Sequence, residues 1–176
     1  MWHMKTQEDY KKFIRDVQDF PTKGVVFRDI SPLLADRDAF FEASTKMAIS
    51  LPIPQYYVGL DARGFLFASA MAVGYSGVVM CRKQGKLPGS CVSQTYSLEY
   101  GASALEMQRG VIPEGSSVII VDDVLATGGT ALCAVNLCRS LGLKVIGASF
   151  LIEVSSLGGK SVLEDEGVEV YTLLTY

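Results

Sequence analysis

Ser117-Val118-Ile119-Ile120-Val121-Asp122-Asp123-Val124-Leu125-Ala126-Thr127-Gly128-Gly129-Thr130 decides the fold. Val118 to Val121 is a short, β-branched apolar run, which predicts a strand buried on both faces of a sheet. The strand is expected to stop at the paired acids Asp122 and Asp123. A loop of small and hydroxyl residues, Ala126 to Thr130, follows, and a helix is expected to open near Thr130. That order turns the backbone N–H groups of Thr127-Gly128-Gly129-Thr130, and the positive end of the helix, toward one point. It builds a pocket for a phosphate ester of a sugar. Two carboxylates at the strand end accept hydrogen bonds from vicinal hydroxyls, or hold a magnesium ion through water. The pattern is neither a Walker A loop nor a GxGxxG dinucleotide fingerprint.

The rest of the chain repeats the strand-to-helix alternation. Tyr56 to Leu60 predicts a strand, followed by Asp61-Ala62-Arg63-Gly64 and a small-residue helix from Phe65 to Val73. Further strands are expected at Gly77 to Cys81, Ser103 to Met107, Lys144 to Val154 and Val168 to Leu174, with a short extended piece at Val25 to Phe27. Helices are expected at Asp38 to Ser50, capped by Asp36 or Asp38, at Gly129 to Leu141, closed by Gly142, and at Leu157 to Glu164. Apolar Tyr10, Phe13, Ile14 and Val17 add a helix over Asp9 to Phe20. Asp29-Ile30-Ser31-Pro32 reads as a turn. Arg82 to Tyr96 has no period and reads as a long loop of the functional or mobile kind. Strands alternating with helices define an α/β fold with a mostly parallel central sheet flanked by helices. Loops leaving the strand C-termini then gather at one edge, where such sheets bind ligands.

Bulk properties narrow the class. The 176 residues suit one domain, and the hydrophobic content of 49% argues against disorder. A net charge of −3 gives no electrostatic reason to expect nucleic-acid binding. No apolar stretch reaches membrane-spanning length, and Met1 to Lys12 reads as neither a secretory signal nor a transit peptide, so a cytoplasmic protein is the expectation. Cys81, Cys91, Cys133 and Cys138 form no CxxC pair and the only histidine is His3. That argues against a structural zinc site and removes Ser-His and Cys-His nucleophilic machinery. Proton transfer then falls to a carboxylate, lysine, tyrosine or metal ion.

Four other segments carry chemistry-bearing residues. Arg63, at a strand-to-helix loop, is placed to fork onto a phosphate group. As a plain surface arginine at a helix start its charge would oppose the helix dipole. Arg82, Lys83 and Lys86 stand beside Gly85 and Gly89, which suits a charged lid over pyrophosphate and equally an ordinary solvated loop. Glu99 beside Tyr100 offers a carboxylate next to a phenol, or an exposed edge residue. Phe20 to Pro32 reads either as structural or as a wrap for a flat heterocycle, with Val26 and Phe27 as apolar faces.

These segments occur in one order: Phe20-Pro21-x-x-Gly24-Val25-Val26-Phe27-Arg28-Asp29-Ile30-Ser31-Pro32, Gly59-Leu60-Asp61-Ala62-Arg63-Gly64-Phe65, Arg82 to Gly89, Tyr96-Ser97-Leu98-Glu99-Tyr100-Gly101 and the opening stretch. From about Phe20 to Tyr176 the chain resembles the type I phosphoribosyltransferases, and within them the adenine-specific branch. The opening stretch resembles the loop of that family that binds phosphoribosyl pyrophosphate (PRPP). The resemblance implies the type I phosphoribosyltransferase fold as a single domain over 1–176. An N-terminal hood (1–35) holds the base, and a core (36–176) carries a mobile loop. It implies a magnesium-dependent transfer of ribose 5-phosphate from PRPP to adenine, giving AMP and pyrophosphate, in a cytoplasmic homodimer of purine salvage.

Residue by residue, the resemblance makes Asp122 and Asp123 the ribose-binding acids. Ala126, Thr127, Gly128, Gly129 and Thr130 become the 5′-phosphate cradle, and Arg63 the pyrophosphate arginine. Arg82, Lys83 and Lys86 become the cations of the mobile loop Arg82 to Gly89. Val26 and Arg28 would read adenine through their backbone, with Val154 and Phe27 covering the ring. Glu99 would be the general acid/base, with Tyr100 beside it. Mg2+ would be held mainly by PRPP and water, with Asp122 and Asp123 as its protein carboxylates. Many relatives carry proline in place of Lys23 and histidine in place of Gln108. Bases with a 6-oxo group call for a donor such as lysine, whereas backbone recognition around Val26 to Arg28 suits a 6-amino group.

Overall fold

The computed structural model describes residues 5–98 and 101–176. The elements run α1 (Gln7–Lys11), β1 (Arg15–Gln18), β2 (Val26–Asp29), α2 (Ser31–Ala35), α3 (Arg37–Ile49), β3 (Tyr56–Leu60), α4 (Gly64–Ala72) and β4 (Gly77–Lys83). They continue with β5 (Cys91–Leu98), β6 (Gly101–Gln108), β7 (Ser117–Leu125), α5 (Gly129–Ser140), β8 (Lys144–Glu153), a 3-10 turn (Ser155–Leu157), α6 (Gly159–Asp165) and β9 (Val170–Thr175).

The main sheet has the order β5-β6-β4-β3-β7-β8-β9, and β1 pairs with β2 in a separate hairpin. Strands β4, β3, β7, β8 and β9 are parallel, while the β5–β6 hairpin joins the edge of β4 antiparallel. Both faces of β3 and β7 are covered. Val58 and Leu60 of β3 with Val118 and Ile120 of β7 pack against Ala134, Val135 and Cys138 of α5. Tyr57, Ile119 and Val121 pack on the other face against Ala43 and Met47 of α3 and Phe67, Ala68 and Met71 of α4. Alternate residues of one strand thus enter two cores, which is why β3 and β7 read as continuous apolar runs.

From β3 the chain winds to β4 on one side, whereas β7 lies on the other side of β3. The loops after β3 and β7 therefore diverge to α4 and α5 on opposite faces, leaving a crevice at this switch point.

Several sequence expectations need correction. β7 continues through Asp122 and Asp123 to Leu125, because β8 supplies ladder partners as far as Leu125↔Glu153. The helix over Asp9 to Phe20 is only the short α1, and Arg15–Gln18 is a strand. Tyr10 and Ile14 satisfy the core, and cross-strand pairs Arg15–Asp29 and Arg28–Asp16 hold the hairpin. The long loop from Arg82 to Tyr96 shrinks to residues 84–90, since β4 extends to Lys83 and β5 starts at Cys91. Pairing with the full length of β6, from Cys91↔Gln108 to Leu98↔Gly101, makes a strand of the polar β5. Ser31 and Pro32, read as a turn, open α2. Asp36 is the cap of α3, accepting from Asp38 N (3.1 Å) and Ala39 N (2.8 Å).

Candidate active site

Asp122 and Asp123 lie on β7 at the crevice. Asp123 is 3% exposed and Asp122 is half-buried. Asp123 N donates to Asp122 Oδ1 at 2.9 Å, which holds the Asp122 carboxylate against the backbone of its neighbour. Burial, and then the charge of Asp123, push the Asp122 carboxyl well above the usual range. Burial also raises Asp123, with Arg63 pulling it back. Two adjacent carboxylates in a low-dielectric site demand cations or hydroxyl donors.

Arg63 answers part of that demand. It stands at the N-cap of α4, where the helix dipole opposes its charge, and its Nε lies 2.9 Å from Asp123 Oδ2. The contact is an ion pair outside hydrogen-bond alignment, so Oδ2 is a buried oxygen without a hydrogen-bond donor. The Arg63 guanidinium also lies over the Phe27 ring, 5.0 Å from its centroid, linking the β1–β2 hairpin to the crevice. Gly64 permits the approach: a Cβ there would sit 2.5 Å from Val121 O and 3.0 Å from Asp122 Oδ1.

Below the acids, Ala126 to Thr130 form the β7–α5 turn. With Asp122 and Phe150 they line a cleft of about 90 Å³. Gly128 is the N-cap of α5 with φ +84°, and no side chain caps the helix, so its first amides face the cleft unclaimed. The turn is braced from behind by α6, where Gly159 N donates to Ala126 O at 3.0 Å. A larger cavity of about 490 Å³ lies elsewhere, against Arg109 to Glu114 and the end of α5, without convergent charged partners.

The remaining sequence candidates are distributed as follows. Arg82 is half-buried at the end of β4; its Nε meets Asp61 Oδ2 at 3.1 Å, beside the Arg63 loop. Lys83 and Lys86 are exposed. Val26 is exposed on β2, Phe27 is half-buried and stacks edge-on against Phe20 at 5.1 Å, and the Arg28 side chain turns to Asp16 and the Tyr176 ring. Val154 follows β8 and bonds through its N to Leu125 O at 2.9 Å, next to the cleft. Glu99 and Tyr100 lie outside the described residues. Asp61, Glu106, Gly159 and Tyr176 were not singled out by the sequence. Asp61 alone carried a signal, as the acid two residues before Arg63.

The donor set also answers for magnesium. Among the described residues no group of three or more His, Cys, Asp or Glu side chains could hold a metal ion. Asp123 Oδ2, buried and without a hydrogen-bond donor, is a carboxylate oxygen of the kind a hard cation takes, and two carboxylates alone leave most of such an ion's positions to other oxygens.

A doubly wound sheet with paired acids, a small-residue turn and an arginine at its switch point is the framework of a phosphoribosyl transferase. The chain matches the phosphoribosyl transferase domain family over residues 56–168. An adenine phosphoribosyltransferase of Mycoplasma mobile is 47% identical over 174 residues, 98% of this chain and 100% of that protein. The adenine phosphoribosyltransferase crystal structure from Rhodothermus marinus is similar at a TM-score of 0.90 with 37% identity, covering 97% of this chain and 98% of that one. The Saccharomyces cerevisiae enzyme, complexed with adenine and D-2,5-dideoxy-2,5-imino-altritol 1,6-bisphosphate, is similar at 0.86 with 36% identity, covering 96% and 98%. The chain belongs to the phosphoribosyltransferases and, among them, to the adenine phosphoribosyltransferases.

Proposed function

We propose that this chain transfers the 5-phosphoribosyl group of PRPP to N9 of adenine, releasing pyrophosphate and forming AMP. The observation that carries the reading is the Asp122–Asp123 pair, half-buried and buried respectively, beside the Ala126–Thr130 turn, with Arg63 against Asp123. The acids accept the ribose 2- and 3-hydroxyls, and the turn takes the 5-phosphate on its amides and helix end. Arg63, released from Asp123, forks onto the departing pyrophosphate, with Arg82, Lys83 and Lys86 as further cations. The C1–oxygen bond breaks with its electron pair leaving on pyrophosphate, and the C1–N9 bond forms. Glu99 takes the N9 proton with Tyr100 beside it, a role worth about 10²–10⁴-fold. Backbone groups of Val26 and Arg28 read the adenine edge, and Phe27 and Val154 cover its faces. Bound Mg2+ would neutralise diphosphate charge, with Asp122 and Asp123 as its protein carboxylates.

The reading includes a single domain, with residues 1–35 as base-binding hood and 36–176 as core. Four unbridged cysteines support a reducing, cytoplasmic location, and no described helix is long and apolar enough to cross a membrane. A homodimer is supported by Leu66, Val73, Tyr75, Val78 and Met80, all exposed on α4, β4 and the turn between them. Incubation with PRPP, Mg2+ and each purine base in turn tests the assignment, with AMP formation from adenine as the expected result. Glu99→Ala is expected to lower turnover by about 10²–10⁴-fold; near-normal turnover removes Glu99 from its role, and binding of PRPP without turnover by the wild type indicates a sensor.

A further inference from the structure

We propose that Glu106 is a positioning residue for this reaction: its carboxylate fixes the cation-bearing β4–β5 loop through the amides of Lys86 and Leu87. The inference rests on the function proposed above and concerns a residue outside the site so far described.

Leu105 and Met107, its neighbours on β6, enter the core. Strand alternation sends Glu106 the other way, to where solvent is expected, yet it is only 5% exposed. The loop of residues 84–90 folds over it. Glu106 Oε1 accepts from Lys86 N at 2.9 Å and from Leu87 N at 2.8 Å. These are charge-assisted bonds, among the stronger hydrogen bonds a protein makes. The Leu87 amide, with those of Gly85 and Lys86 and the charge of Arg82, holds the carboxyl below its usual range.

A second grip comes from the same face of β6, two residues on. Gln108 Nε2 donates to Pro88 O at 3.0 Å. Gly85 and Gly89 flank the gripped segment with φ of +82° and +77°, and a Cβ at either would meet no atom within 4 Å. Nothing packs against the two glycines, and between the ladder bonds at Gln84 and Ser90 the Glu106 and Gln108 contacts hold the loop backbone.

The grip reaches the chemistry through Arg82, the register partner of Glu106. Arg82 Nη1 donates to Lys86 O at 3.2 Å, and its Nε to Asp61 Oδ2 at 3.1 Å, on the loop that carries Arg63. One continuous set of contacts thus runs from Glu106 through the loop backbone and Arg82 to the pyrophosphate side of the crevice. Glu106 is 5% exposed with Oε1 on two loop amides, so its role in the reaction is that of a group acting through the loop.

The test compares the wild type with Glu106→Ala and Glu106→Gln in steady-state kinetics, thermal unfolding and tryptic cleavage of the Lys86–Leu87 bond. Glu106→Ala is expected to raise the KM for PRPP about tenfold and to leave the KM for adenine within about twofold. It should also speed cleavage after Lys86. Glu106→Gln, whose carboxamide oxygen replaces Oε1, should restore most of both. If the alanine variant does not fold, Gln108→Ala carries the test from the second grip, with a smaller rise in the KM for PRPP and faster cleavage. Unchanged PRPP kinetics and cleavage in a folded variant, or equal rises in both KM values, overturn the inference. A wild type without turnover overturns the reaction reading instead, and the cleavage comparison still judges the grip.

Discussion

Arg63 stands where three demands meet. Its guanidinium lies on the Phe27 ring of the hood, within ion-pair reach of Asp123, and at a helix start whose dipole repels it. On the proposed reading, Arg63 leaves Asp123 for the pyrophosphate anion. Arg63→Ala is expected to lower kcat/KM for PRPP by about 10²–10³-fold. Arg63→Lys should recover only part, because a point charge does not fork onto two oxygens. Steady-state kinetics with PRPP varied check this, and a loss confined to adenine would assign Arg63 to the hood alone. Arg63 was legible in the sequence because a charge opposing a helix dipole needs an explanation. Glu106 was not: a glutamate between Leu105 and Met107 reads as the solvent face of a strand, and only the overlying loop buries it.

At the scale of elements, the β7–α5 turn is held from beneath as much as it is formed by its own residues. A Cβ on Gly159 would stand 2.2 Å from Ala126 O and 2.7 Å from Gly128 N, both backbone atoms that cannot yield without moving the turn. Gly159→Ala is therefore expected to weaken AMP binding at least about tenfold and to cost roughly 1–3 kcal/mol of stability, measured by calorimetry and denaturant unfolding. Unaltered AMP affinity would mean that the turn does not hold the phosphate. The hood is secured by a different device at its junction with α2. Asp29 accepts from the Ser31 hydroxyl (2.6 Å) and amide (2.9 Å) and from Arg15 Nη2 (2.5 Å). The Ser31 hydroxyl first, then its amide and Arg15, lower the Asp29 pKa to about 2. A depressed carboxylate stabilises the fold above its unfolded pKa near ~3.9, and that contribution is lost as pH falls toward about 2. The difference in melting temperature between the wild type and Asp29→Asn should hold steady above about pH 4 and shrink below it; a difference independent of pH sinks the assignment. The strands whose own residues fill a core, β3, β7 and β8, were legible from their apolar runs. β1 and β5 were not, because partners make them strands: β1 is largely exposed and β5 is polar, so pairing with β2 and β6 supplies what composition does not.

Across the whole molecule, the doubly wound sheet explains where the crevice lies, and an uncovered apolar face on it bears on the proposed homodimer. Parallel strands are stable when helices cover both faces. β4 departs from that rule. Val79 and Cys81 enter the core on one face, but Val78 and Met80, on the α4 face, are 40% and 45% exposed; β3 pairs along this part of β4, while β6 joins only at Arg82 and Lys83. The neighbouring α4 adds Leu66 and Val73, and the turn adds Tyr75 at 82% exposure. A contiguous uncovered apolar face of this kind marks an interaction surface, and self-association through a two-fold axis is its simplest cover. The same strand continues into Arg82, so this interface would border the crevice and connect assembly to activity. Met80→Glu, at an exposed position, leaves the monomer core intact while placing a charge in the buried centre of the proposed dimer. Light scattering is expected to give twice the chain mass for the wild type and the chain mass for Met80→Glu at micromolar concentration, with PRPP turnover per chain falling alongside. A variant that remains dimeric would move the interface off β4, and a wild type that is monomeric at every concentration would leave this face without a second copy.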